Sequence, residues 1–128
     1  MKLCDQKGQA LVELALSIFV LVLIVFGITE FSRVMYIRNT LNLAAREGAR
    51  LAAVTPSPVD ESKVVDHVES CIPFNQTGLT VTVTPTNFTS GCTITVVASL
   101  PFQTVVPLLI TQLDDITLTG QASMRYEY

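Results

Sequence analysis

Residues 8–30 read GQALVELALSIFVLVLIVFGITE, and everything else in the chain is arranged around this segment. Sixteen uncharged residues, Leu14 to Thr29, separate Glu13 from Glu30, and counting from Gln9 lengthens the span to 21 residues. At ~1.5 Å per residue a helix of that length covers ~31 Å, one hydrocarbon core. A cleavable secretory signal has a shorter apolar region closed by small residues at a cleavage site, whereas here the chain runs on through Phe31, Ser32, Arg33 and Val34. The segment is therefore predicted to be a membrane helix. Cys4 precedes the apolar run and comes too early for a lipoprotein attachment site. Lys2, Lys7 and the amino terminus on one side meet Arg33 and Arg38 on the other, so the positive-inside rule sets no orientation. No proline occurs from Met1 to Thr55, which predicts one continuous helix from about Ala10 to Val54, ~66 Å long.

Glu13 is the exceptional residue of the run. A carboxylate at the centre of a membrane helix costs on the order of 2.5–3.5 kcal/mol, so such groups usually have a partner or a function. On the residues alone two readings stand: Glu13 marks the helix end and reaches the headgroups, or it has a partner or a function within the apolar run. Farther along, Ala44, Gly48 and Ala52 form one i, i+4 row and Ala45, Ala49 and Ala53 the adjacent one, with Leu41 and Leu51 beside them. Rows of small residues let backbones approach closely. They are expected to be a packing surface for the rest of the chain in preference to a ligand site.

After Pro56 the sequence predicts a short second helix, with Ser57 as cap, Pro58 at the first helical position, Asp60 and Glu61 in the first turn, and Pro73 past its end. Val64, Val68 and Ile72 give it one apolar face. His67 beside Asp66 reads as a surface histidine in preference to half of a catalytic relay, since no nucleophile is identifiable for it. Three segments then alternate with period two. They are Leu79 to Thr84, Cys92 to Phe102 with Val97 out of pattern, and Ile116 to Tyr128. One-faced strands imply an antiparallel sheet with one side covered, and the small-residue face of the long helix is the available cover. Gln103 to Asp115, rich in Val and Leu, is either a short helix folded over the core or a contact surface. Asp114-Asp115 alone is no metal site.

The chain has 128 residues, room for one small head. Residues 31–54 carry four arginines against Glu47, net +3, whereas after Thr55 two cations face seven carboxylates, net −5. That acidity argues against nucleic acid as a partner. A basic stem and an acidic head attract each other between subunits, or they are ordinary solvated faces.

Gly8-Gln9-Ala10-Leu11-Val12-Glu13 resembles the processing site of type IV prepilins, in which a membrane peptidase cuts after a small residue and a glutamate stands at the fifth mature position. The resemblance places cleavage between Gly8 and Gln9 and puts Glu13 at that glutamate. Cleavage there removes Lys2, Asp5 and Lys7 and leaves a cationic amine on Gln9, which Glu13 of a neighbouring subunit would neutralise. Ile28-Thr29-Glu30-Phe31-Ser32-Arg33 and Ala44-Ala45-Arg46-Glu47-Gly48-Ala49-Arg50 are similar to further signatures of TadE-like proteins from tight-adherence pili. Together with the C-terminal end, the likeness spans most of the chain. The sequence departs from the family's pattern at Leu16-Ser17-Ile18-Phe19, where a proline is frequent, and at Ser32, where a glycine is frequent.

The resemblance implies a pilin-like α+β fold: one long helix with a membrane-spanning half and a head-packing half, a short second helix, and a three-stranded antiparallel sheet. It implies a leader over 1–8, a membrane and filament-core helix over 9–30, and a head over 31–128. Expected partners are other pilin subunits, the prepilin peptidase, the inner-membrane assembly machinery and, before assembly, the lipid bilayer. No cofactor, metal or catalytic residue is expected. The precursor would cross the inner membrane once with its head outside the cytoplasm, and the assembled subunit would lie on the cell surface.

Loss of the leader removes Cys4 and leaves Cys71 and Cys92, an even pair in a secreted head, for which a disulfide is expected, with two free thiols as the alternative. Closing that ~21-residue loop would contribute ~3 kcal/mol. Asn75-Gln76-Thr77 and Asn87-Phe88-Thr89 match glycosylation sequons, a pattern that Thr-rich sequence produces by chance. A rival reading is an anchored binding module that never polymerises, with the Thr-rich sheet face meeting a partner. An enzyme with a site scattered along the sequence is the weakest.

Overall fold

A computed structural model describes residues 3–56, 59–85, 91–104 and 116–126, with side chains from Gly8 onward. The element order is α1 (Leu3–Val54), α2 (Glu61–Ser70), β1 (Thr80–Thr84), β2 (Thr93–Pro101) and β3 (Thr117–Arg125). The architecture is α+β, as the periodicities predict. The chain divides into two compact units, Met1–Arg33 and Val34–Tyr128. The first contributes only helix among the described residues; the second contains the sheet, α2 and the last part of α1.

The sheet is antiparallel in the order β1-β2-β3. Val96 pairs with Val83 on one side and with Ala122 on the other. Val83, Ile94, Val96, Ala98, Leu100 and Leu118 are buried on one face, whereas Thr80, Thr82, Thr117 and Thr119 are exposed on the other. Period-two alternation therefore orients all three strands. Ile116 departs from it: it lies just before β3 and is exposed, although its carbonyl accepts the Phe102 N–H at 2.8 Å.

α1 covers the buried face with side chains so small that the strands approach its backbone. Leu41, Ala44, Ala45, Ala49 and Ala52 are fully buried, and Leu41, Ile94, Val64, Val68 and Val96 supply the bulk of the core. Each such aliphatic side chain contributes roughly 1.5–3 kcal/mol on burial. At Gly48 an added Cβ would collide with Cγ2 of Val68, so α2 rests on the helix where it lacks a side chain. At Gly120 an added Cβ would overlap the carbonyl carbon of Leu41 and lie 2.5 Å from the Asn42 nitrogen, which puts the middle of β3 against the α1 backbone. Asn42 Oδ1 accepts the Gln121 N–H at 3.3 Å beside this contact. The Tyr126 hydroxyl donates to the Thr55 carbonyl at 3.2 Å and ties the end of β3 to the residue after α1.

The second helix begins later than its sequence suggests. Ser57 and Pro58 lie outside the described residues, and the cap is Asp60, whose Oδ1 accepts from Ser62 N at 3.1 Å and from Ser62 Oγ at 2.6 Å. The reason is burial: Val59, just before the cap, and Val64, in the fourth helical position, both enter the core, the spacing of a hydrophobic staple. The Ser62 side-chain hydrogen bond, helped by Lys63, holds the Asp60 carboxyl below the ordinary aspartate value. Val64, Val68 and Ile72 are buried as the pattern predicts, and His67 is half-buried.

The expected bond between Cys71 and Cys92 is not formed. Gln76 donates from Nε2 to the carbonyls of Glu69 and Ile72, holding the end of α2 against a turn closed by Leu79 N to Gln76 O. Gly78 takes φ +82° in that turn, a backbone angle suited to glycine. The turn leads into β1 at Thr80, which faces Ser99 near the far end of β2, whereas Cys92 lies at the near end opposite Tyr126. The chain thus enters the sheet at the end of β2 remote from Cys92, with Cys71 at the C-cap of α2 before that turn.

Several sequence expectations fall outside the described residues: the apolar connection over 105–115 with Asp114-Asp115, the sequon at Asn87, and Glu127 and Tyr128. The other sequon is described. Asn75 Oδ1 accepts from Thr77 N at 3.1 Å and from Thr77 Oγ1 at 2.7 Å, on the surface.

Candidate membrane and assembly helix

From Gly8 to Thr29 every residue of α1 is exposed. The exposed side chains include Leu11, Val12, Leu14, Leu16, Ile18, Phe19 and Leu21, several more than 60% accessible. This is the one described helix long and apolar enough to cross a membrane. Water opposes so much apolar surface, which requires a cover of lipid or of other apolar chains.

The polar groups of the run are arranged for such a cover. Ser17 Oγ donates to the Glu13 carbonyl at 2.9 Å, Thr29 Oγ1 to Val25 O at 2.9 Å, and Ser32 Oγ to Ile28 O at 2.8 Å. Each hydroxyl is thus satisfied by the preceding turn, as an apolar medium demands. At the far boundary Glu30 Oε2 and Arg33 Nη1 lie 3.1 Å apart, with the Glu30 side chain 15% exposed. Two opposite charges there are held together one turn apart instead of standing singly at the edge of the apolar run.

Glu13 stands apart. Its side chain is exposed, and among the described residues nothing donates a hydrogen bond to it or pairs with its charge. Gly8 and Gln9 are also exposed and helical. A Cβ added at Gly8 meets nothing within 4 Å, so no packing contact calls for glycine there. Glycine in a helix is about 1 kcal/mol less favourable than alanine, which makes an unpacked one a cost without internal return.

The six small residues of the outer helix are placed differently. Ala44, Ala45, Gly48, Ala49, Ala52 and Ala53 are all buried within the head. They hold the sheet and α2 and leave the opposite side of the helix exposed. That side carries Tyr36, Leu43, Arg46, Arg50 and Val54, an exposed stripe along the helix. Its signal was present in the spacing of Tyr36, Leu43, Arg50 and Val54, which recur at intervals of seven, seven and four. Tyr36 also meets Phe74 edge to face, ring centres 6.0 Å apart. Among the described residues no group of three or more His, Cys, Asp or Glu side chains is placed to hold a metal ion.

The family model described as TadE-like protein matches residues 8–50. The match is to the family expected from the motifs, but it covers about a third of the chain and not the C-terminal end. It contains Gly8, Glu13, the Glu30 to Arg33 segment and the small residues up to Ala49. With the exposed apolar helix it fits a membrane protein related to Tad pili. No curated protein and no solved structure matches the chain.

Proposed function

We propose, from the TadE-like character of residues 8–50, that this chain is a minor pilin or pseudopilin of a Tad-type pilus. A prepilin peptidase cleaves it after Gly8. Residues 9–30 hold the precursor in the inner membrane, with the head, 31–128, outside the cytoplasm. The assembly machinery then extracts it and packs its helix among those of other pilin subunits, in a surface structure that serves adhesion. The chain acts by assembly and not by catalysis.

The observation that carries this reading is a fully exposed apolar helix with a carboxylate near its start, Glu13, that has no partner among the described residues. Lipid and sister helices both satisfy the apolar surface, so moving from one to the other is nearly neutral in hydrophobic free energy. Register therefore has to come from a polar contact, and Glu13 with the new amine of Gln9 in a neighbour supplies one. The glycine at position 8, unneeded by packing, is what a peptidase selecting a small residue would favour.

N-terminal sequencing and intact mass of the protein from its native host test the reading. A chain beginning at Gln9 is expected. One beginning at Met1 defeats it and leaves the anchored binding module in its place.

A further inference from the structure

We infer that the exposed stripe of α1 on the head, Leu43, Arg46, Arg50 and Val54, docks the acidic face of α2 on a second copy of this chain, an inference that builds on the assembly reading. Leu43 is 59% and Val54 53% exposed, and between them Arg46 and Arg50 are exposed on the same side of the helix. Over 34–54 the helix carries Arg38, Arg46 and Arg50 against Glu47 alone, net +2. Glu47 is taken up by Arg50 at 3.6 Å, and among the described residues Arg46 forms no ion pair. On α2 and its cap, Asp60, Glu61, Asp66 and Glu69 face Lys63, net −3. Lys63 is engaged by Asp60 at 3.7 Å, while Asp66 and Glu69 have no ion-pair partner among the described residues.

The two surfaces cannot satisfy each other within one head. α2 touches α1 at Gly48, through Val68 and Val64. Arg46 precedes Gly48 by two residues, about 200° around the helix, so it points away from the α2 of its own chain. Complementary patches on opposite sides of one head meet only between copies. Because the patches differ, the contact is heterologous, and heterologous contacts that do not close into a ring propagate as open chains. The exposed Leu43 and Val54 add apolar area at its margins, and the charges supply orientation.

The test uses the full-length chain in detergent micelles, with two tags and co-purification of one copy by the other. Arg46→Glu with Arg50→Glu reverses the stripe; Asp66→Arg with Glu69→Arg reverses the α2 face. All four positions are at least partly exposed, and thermal melting of each variant checks that the head is folded. Each reversed chain is expected to lose self-association at least about tenfold, and a mixture of the two is expected to recover it. Association of the unmodified chain should also weaken as salt rises from about 50 to about 500 mM. Unchanged association in folded reversed chains, or no recovery on mixing, overturns the inference. The experiment does not depend on cleavage after Gly8, so a native chain beginning at Met1 defeats the pilin reading alone. Insensitivity to charge in a chain that does begin at Gln9 defeats the docking face alone.

Discussion

Alanine at Gly120 is the sharpest probe of how the head is built. The new methyl overlaps the Leu41 carbonyl carbon and lies 2.5 Å from Asn42 N and 2.6 Å from Leu41 O, all backbone atoms that no rotamer change can move. Restoring ordinary contact requires strand and helix to part by about 1 Å, and a gap of that size forfeits a quarter to a half of each dispersion contact across it. Overpacking of this kind costs roughly 1–3 kcal/mol. Displacing Asn42 also weakens its hydrogen bond to Gln121, about 0.5–1.5 kcal/mol, against a gain of roughly 0.5–1 kcal/mol from removing a strand glycine. The net loss is about 1–3 kcal/mol, which for a head of this size lowers Tm by at least about 5 °C. Gly48→Ala is the control. There the first obstacle is a side-chain methyl of Val68, and alanine adds about 1 kcal/mol of helix propensity, so the loss is smaller. Thermal unfolding of the full chain in micelles, followed through the buried Tyr126, gives both values. A Gly120→Ala chain as stable as the parent, or less affected than Gly48→Ala, refutes the close approach of β3 to α1.

Glu13→Leu should leave leader removal intact while abolishing incorporation into pili; normal pili in that mutant would end the pairing idea. Cys71 and Cys92 should both react with iodoacetamide in the denatured, unreduced chain, and recovery of a peptide joining them would contradict the two free thiols. Asp60 has a lowered folded pKa, so its contribution is complete above the ordinary aspartate value, ~3.9, and is lost as pH falls through the lowered one. Asp60→Asn should therefore melt below the parent at pH ~6 and converge with it at pH ~2. A gap that does not change with pH removes the charge from the cap.

Much of this architecture is legible from spacing alone. An apolar run without proline dictates a helix, and threonines alternating with Val, Ile and Leu dictate one-faced strands. The small-residue rows point to a packing face, and each of their members lies in the head's core. What spacing leaves out are distances between remote parts. Gly120 meets a backbone some 79 positions earlier in the chain, close to the Asn42 to Gln121 bond that spans that separation. A glycine on the apolar side of a strand was the available hint. Spacing also leaves the α2 cap open, because Ser57 and Asp60 are both good caps and only the inward turn of Val59 selects Asp60. An even number of cysteines says nothing about how their elements are placed: Cys71 caps the end of α2 and Cys92 precedes β2.

Asn42 has a further consequence for life in a crowd. β3 lies at the margin of the sheet, and the Gln121 amide that Asn42 engages would otherwise be offered to any extended chain passing alongside. A side chain bonded at the midpoint of that margin interrupts the ladder an intruding strand must form. An extended chain pairing along β3 would first have to displace it.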